Sequence, residues 1–273
     1  MDISKSLKSG VEKLMPVLFI GHGSPMNAIE DNEFSRGWKE IAKKVPKPKA
    51  ILCISAHWET KGIKVTAMES PKTIHDFGGF PKELYEVQYP APGSGWLAGQ
   101  VKSTIKKSEV LFDEDWGLDH GCWSVLRIMF PKADIPVIQL SLDHTKSAGY
   151  HYELAKELLE LRKKEVLIIG SGNLVHNLFM ASFRNNNINE PFGFDWAIEA
   201  NNLFKKLIVK EDYNSLTNYK SLSDAVQLAI PTPEHYLPMI YAIALKQKNE
   251  VISFFNDKPV AGSITMTSFI IDK

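Results

Sequence analysis

Two runs of strand length, Val17-Leu-Phe-Ile20 and Ala50-Ile-Leu-Cys-Ile-Ser55, are apolar almost throughout, and each leads into a histidine, His22 and His57. A strand without polar alternation must be covered on both faces, which is the condition of a strand buried in a parallel sheet. Between the two runs, residues 33–44 have helical spacing, with Phe34, Trp38, Ile41 and Ala42 on one face, and Pro46 and Pro48 stop the helix. Strand, helix and strand make a βαβ unit. The chain is therefore read as α/β: a central, mostly parallel (mixed) sheet flanked by helices on both faces. Sites in such sheets lie beyond the carboxyl ends of the strands, so two strand-end histidines can converge on one point. Gly21 and Gly23 flank His22, which predicts backbone freedom and an imidazole displayed with little steric cover.

The same pattern recurs downstream. Residues 62–68 alternate as a half-buried strand, and residues 69–94 form a long irregular stretch rich in Pro, Gly and aromatics. Loops of this length inside a domain are usually functional, so this one is read as a lid or substrate wall. A helix over 97–107 and a strand over 109–112 precede His120, which stands before Gly121 at the start of an amphipathic helix that Pro131 ends. A strand over 135–142 and a helix over 147–164 follow. The strand Val166-Leu-Ile-Ile169 opens into Gly170-Ser-Gly-Asn-Leu-Val-His176. A helix over 195–209 packs outside. Ile230-Pro-Thr-Pro-Glu-His-Tyr-Leu-Pro238 places His235 at the start of an apolar helix, where proline is tolerated. Two strand-like runs, 251–255 and 264–270, close the chain and are expected to extend the sheet in antiparallel sense.

Composition narrows the partner. With 273 residues the length fits a single domain, 1–273, in which residues 1–14 form a peripheral polar segment. The 32 basic and 32 acidic residues balance to zero formal charge, so there is no general attraction to nucleic acid or an anionic membrane, and neither is an expected partner. Cys53 and Cys122 form neither a disulfide framework nor a Cys-x-x-Cys motif. No segment has the length of apolar sequence needed to span a bilayer, and the expected location is the cytoplasm. Asn185-Asn-Asn187 reads as a surface loop. A monomer or small homo-oligomer is expected.

Of the eight histidines, His144 and His151 read as structural or surface residues, whereas His75, beside Asp76 in the long loop, is a candidate for substrate contact. His22, His57, His120, His176 and His235 all follow a strand or precede a helix. Neutral imidazole is a good ligand for zinc or ferrous iron, and an imidazole near its ordinary pKa can also transfer protons. Periodicity does not divide these roles, nor does it decide whether Glu234 or His235 faces a metal. A zinc hydrolase with His176 or Glu59 as base, or a non-enzymatic metal-binding protein on the same fold, uses the same residues. With five such histidines some can bind metal while others transfer protons, which favours an enzyme.

Gly21-His-Gly-Ser-Pro-Met, Ser55-Ala-His-Trp-Glu, Ile74-His-Asp-Phe-Gly-Gly-Phe-Pro, Tyr89-Pro-Ala-Pro-Gly, Asp119-His-Gly-Cys-Trp, Gly170-Ser-Gly-Asn-Leu-Val-His-Asn and Pro231-Thr-Pro-Glu-His-Tyr-Leu-Pro resemble the successive motifs of the 4,5-DOPA extradiol dioxygenases. These belong to the class III, protocatechuate-dioxygenase-like extradiol ring-cleavage superfamily. The resemblance runs in order from residue 16 to the C-terminal strands. It implies one divalent metal held by His22, His57 and His235, the last standing where the protocatechuate branch has a glutamate. Fe(II) is implied for catalysis, with Zn(II) occupying the same site as isolated. His176 is implied as acid/base and as a possible fourth ligand, and His120 as a group that hydrogen-bonds substrate or oxygen. The implied substrates are a small aromatic diol and O2, with DOPA giving 4,5-seco-DOPA and then betalamic acid. His75, Phe80 and Tyr89 are the candidate substrate-binding residues of the long loop.

Overall fold

The computed structural model describes residues 14–182 and 189–273; the N-terminal segment before residue 14 and the polar stretch at 185–187 lie outside them. In chain order the strands are β1 (Val17–Gly21), β2 (Ala50–Ser55), β3 (Glu59–Thr60), β4 (Ile63–Thr66), β5 (Val110–Asp113), β6 (Val137–Gln139), β7 (Leu142–Asp143), β8 (Val166–Gly172), β9 (Val251–Phe255), β10 (Pro259–Val260), β11 (Ile264–Thr265) and β12 (Ser268–Asp272). Six of them form one sheet in the order β6-β2-β8-β1-β12-β9. The first four are parallel, with Leu52 opposite Ile168 and Leu18 opposite Ile169. β12 then runs antiparallel to β1, and β9 antiparallel to β12, as the closing runs of the sequence suggested. The small pairs β3–β7, β4–β5 and β10–β11 lie beside this sheet.

Helices cover both faces. Among the described residues these are α1 (Glu33–Lys44), α2 (Lys82–Tyr85), α3 (Gly95–Thr104), α4 (His120–Met129), α5 (Ala148–Lys156), α6 (Leu159–Lys163), α7 (Asp195–Val209), α8 (Tyr213–Thr217), α9 (Asp224–Ala229) and α10 (Leu237–Ala244). Alternation along the strands sends side chains into two cores. Val17, Phe19, Leu52 and Ile168 meet Leu154 of α5, Phe204 of α7 and Ile240 of α10. Leu18, Ile20, Ile51 and Ile169 meet Trp38 of α1 and Trp123 of α4. Full burial of side chains this size stabilises by about 1.5–3 kcal/mol each. α1 begins where the side chain of Asn32 accepts from the amides of Phe34 and Ser35, while Ser35 Oγ accepts from the Asn32 amide.

Several elements differ from the reading of the sequence: the closing run over 264–270 is broken into β11 and β12, of which only β12 joins the main sheet, and the irregular stretch over 69–94 contains α2. The strand expected over 135–142 is split into β6 and β7: the ladder with β2 ends at the bond from Leu140 to Cys53, after which Leu140 bridges Val65, Ser141 donates to the Lys64 carbonyl and Leu142 pairs with Glu59 of β3. The helix expected over 147–164 breaks after Lys156 into α5 and α6. Near the amino ends of the parallel strands, buried Arg162 pairs with Glu250 and donates to the carbonyls of Met15 and Leu245. That satisfies a charge in the interior and leaves the opposite, carboxyl ends of β1, β2 and β8 for the histidines. No helix among the described residues is long and apolar enough to cross a membrane.

Candidate active site

Each of the five histidines sits where a sheet strand ends or a helix begins. His22 follows β1 and its amide donates to the carbonyl of Gly172 at the end of β8, 3.2 Å away. His57 lies just past β2, with its amide on Ser55 Oγ at 3.2 Å. His120 is the first residue of α4, whose N-cap Asp119 accepts from the Cys122 amide. His176 lies past β8, and His235 precedes α10 with its carbonyl accepting from Asn173. Sheet order β2-β8-β1 places three of these strand ends side by side.

The rings converge. Centroids are 5.0 Å apart for His22 and His57, 5.4 Å for His22 and His235, and 5.1 Å for His57 and His235. His120 lies 3.9 Å from His57, and His176 stacks on His235 at 3.5 Å. Ligand atoms of His22, His57 and His120 fall within 4.8 Å of one another, and so do those of His176, His235 and Glu234. His144 and His151 stand apart. His144 is exposed, and His151 is buried between the Tyr241 hydroxyl and the Asp143 carbonyl.

Donor counting fixes tautomers. Ser171 Oγ donates to the Gly121 carbonyl at 2.6 Å, so its contact with His22 Nδ1 at 3.1 Å must be a hydrogen given by the imidazole. His235 Nδ1 donates to Glu234 Oε1 at 3.1 Å, and His57 Nδ1 lies 3.3 Å from Asp76 Oδ2. A carboxylate only accepts, so in all three rings the hydrogen belongs on Nδ1 and the Nε2 lone pair is bare. The Nε2 atoms of His22 and His57 face each other at 3.1 Å, and His235 Nε2 is buried without a partner. Such a spacing suits two neighbouring nitrogens on one small cation held at about 2.0–2.1 Å. These residues fit a metal ion.

Burial dominates the electrostatics. It lowers the pKa of His22, His57 and His235 well below the usual histidine value, and the neighbouring imidazoles lower it further. His176 is brought down to about 4 by burial and by His120. These four rings are neutral at pH 7, the form that ligates metals. Burial works to raise Asp76, yet its hydrogen bonds and charge contacts with His120, and the charge contact with His57, hold it down at about 2. Burial, with Asp76 nearby, raises Asp119, against hydrogen bonds from Ser55 and Gln139.

A cavity of about 270 Å³ opens over the cluster, lined by the five imidazoles and Asp76 together with Phe77, Phe80, Leu178 and Ile264. A more voluminous cleft of about 520 Å³, near Lys146 and Lys220, contains none of these groups. Chemistry rather than volume marks the site.

Several expectations are corrected. His22 is covered, being only 2 % exposed. Gly21 is required because a Cβ there would meet the Met266 backbone at 2.6 Å. Of the three loop candidates, Phe80 lines the cavity and two do not. His75 Nε2 donates to the Val87 carbonyl, and its ring packs beside Trp123. Tyr89 is buried in the core beneath, where its hydroxyl donates to the Phe130 carbonyl at 3.1 Å. Sequence reasoning missed Asp76, Ser171 and Glu234 as the groups that orient the imidazoles. The signal for Asp76 was present in Ile74-His-Asp-Phe77, but neighbouring residues of a non-helical segment point opposite ways, and the sequence does not say which turns inward.

Comparison with known proteins gives the family. Residues 16–256 match the family described as the catalytic LigB subunit of aromatic ring-opening dioxygenase. A 4,5-DOPA dioxygenase extradiol of Escherichia coli K12 is 42 % identical over 93 % of each chain. One from Beta vulgaris is 35 % identical over 94 % of this chain and 97 % of its own. The crystal structure of an uncharacterized Escherichia coli K12 protein superposes with a TM-score of 0.81 at 37 % identity, over 94 % of this chain and 99 % of that one. A shared fold, a family match across the sheet and its histidine-bearing ends, and close relatives over nearly the whole length together establish that the chain belongs to the LigB family of extradiol ring-opening dioxygenases.

Proposed function

We propose that this chain, acting as one catalytic domain in the cytoplasm, cleaves a catechol ring beside its diol with O2, using one divalent metal held by His22, His57 and His235. The observation that carries the reading is the convergence of three imidazoles whose Nδ1 atoms face Ser171, Asp76 and Glu234, which leaves each Nε2 to present a bare lone pair. Orienting partners of this kind accompany nearly all metal-bound histidines. Three protein ligands leave room for further ligands, as catalytic sites require.

A bound Fe(II) supplies sites for diol and dioxygen together and a route for electrons between them. With no carboxylate among the three ligands, the set also accepts Zn(II), and we expect zinc in the protein as isolated. The chain's own residues supply the rest. His176, neutral at pH 7, takes a proton from a diol hydroxyl, whose ordinary pKa of about 10 keeps it protonated at this pH. His176 also stacks on His235, within reach of the metal set as a fourth ligand. His120 stands 3.9 Å from His57 and 5.5 Å from Phe77, placed to hydrogen-bond a substrate oxygen. Phe77 and Phe80 wall the aromatic ring and keep water from it.

The names of the Escherichia coli and Beta vulgaris relatives point to DOPA as a substrate, and cleavage of DOPA in this way would give 4,5-seco-DOPA. The test is anaerobic loading of metal-free protein with Fe(II) or Zn(II), followed by DOPA or simpler catechols in air-saturated buffer. Oxygen uptake with a yellow ring-opened product, for iron and not for zinc, is the expected result. No uptake with any catechol at stoichiometric metal refutes the reading.

A further inference from the structure

Asp76 belongs to neither the three-histidine set nor the pair of proton-handling histidines, yet it touches one member of each. Its Oδ1 accepts from the His120 amide at 2.9 Å. Its Oδ2 lies 3.1 Å from His120 Nδ1 and 3.3 Å from His57 Nδ1. His120 Nδ1 is buried without a hydrogen bond of ordinary geometry, and its contact with Oδ2 is the close approach of one oxygen to two rings whose centroids are 3.9 Å apart. Contacts of this kind tighten when the ligands of a site are in place.

We propose that Asp76 is a positioning residue that sets the tautomer and ring orientation of His57 and His120 together. The inference rests on the reading of His57 as a metal ligand. An aspartate between two Nδ1 atoms accepts from both, so both rings turn a bare Nε2 toward the cavity. One lone pair then faces the metal and the other faces substrate. The segment carrying Asp76 is itself anchored to the loop that starts α4. The Ile74 amide donates to the Leu118 carbonyl and the Trp123 indole donates to the Ile74 carbonyl, each at 2.7 Å. Phe77, the next residue, lines the cavity and meets the His120 ring edge-on. Residues 74–77 thus join the aromatic wall to the two imidazoles.

Asp76→Asn separates this role from a purely structural one. Asparagine has the same shape and its carbonyl still accepts from the His120 amide, but its NH2 cannot accept from a ring nitrogen. Zn(II) affinity of metal-free protein, read by competition with a chromophoric chelator, is expected to fall about 10–100-fold. The imidazole 15N spectrum of zinc-loaded, histidine-labelled protein is expected to show His120 losing its Nδ1–H form. With Fe(II) saturating, kcat for a catechol still falls while KM changes little, because His120 is no longer aligned. His57→Ala is measured alongside. Loss of binding in His57→Ala with wild-type affinity and wild-type tautomers in Asp76→Asn overturns the assignment of Asp76 and leaves the ligand reading intact. Wild-type affinity in both variants overturns the ligand reading and this assignment with it.

Discussion

Lowering the pH from 7 to 5 should cost this protein about 2 kcal/mol at a single histidine that takes no part in the active site. His151 on α5 is fully buried; its Nε2–H donates to the Asp143 carbonyl at 3.2 Å, so its Nδ1 accepts from the Tyr241 hydroxyl at 3.0 Å. The neutral ring is fully satisfied there, and burial, partly offset by the Asp143 carbonyl and charge, lowers its pKa from 6.5 to about 4. The folded value lies below the unfolded one, so the unfolded chain takes up a proton that the native state refuses. The stability contribution is therefore complete above about pH 6.5 and is lost as the pH falls from there to about 4. Integrating the linkage between pH 7 and pH 5 gives the figure of about 2 kcal/mol. Urea unfolding of metal-free protein at both pH values measures it, with His151→Gln as reference. Glutamine can give and accept the same two hydrogen bonds without titrating. The buried imidazoles of the active site contribute equally to both proteins, so the wild type should lose about 2 kcal/mol more than the variant. Equal losses refute the claim that His151 is held neutral.

The other predictions concern the site. His22→Ala or His57→Ala should abolish stoichiometric zinc binding measured by atomic absorption; a variant with full metal content removes that residue from the ligand set. His235→Ala should weaken Zn(II) binding by more than the roughly 10–100-fold expected when Glu234→Ala removes the acceptor for His235 Nδ1, and the reverse ranking gives the ligand role to the glutamate. His176→Ala should keep its three-histidine metal yet lose most turnover in an oxygen-electrode assay, and unchanged kcat takes His176 out of the chemistry. Tyr89→Phe should cost about 1 kcal/mol in urea unfolding by removing one of the two hydrogen bonds to the Phe130 carbonyl, the other coming from the Ala133 amide, with kcat/KM for catechols unchanged; a large change in kcat/KM brings Tyr89 back to the substrate.

Much of the site was legible because its parts repeat a local pattern. β1, β2 and β8 are apolar runs that stop short of a histidine, and α4 and α10 start at or beside one. Chain-local chemistry makes the strands and helices, and the rule that parallel sheets bind at their carboxyl ends makes the histidines neighbours. His75 and Tyr89 show where this reasoning fails. Both lie in the expected loop and are the right residue types, but one turns to the Val87 carbonyl and the other into the core, while Phe77, Phe80 and Asp76 face the cavity. The paths of loop side chains are set by what they pack against, and that surface is built from distant strands and helices.

By itself, then, the sequence determined the α/β class, the antiparallel closing strands, the family and the five histidines, because each depends on residue type and on periodicity within a short window. Only the tertiary structure decided which ring nitrogen each histidine turns to the centre. That choice belongs to Ser171, Asp76 and Glu234, two of them far in sequence from the imidazoles they hold. A hydrogen bond is made across whatever gap folding closes, and no spacing along the chain records it.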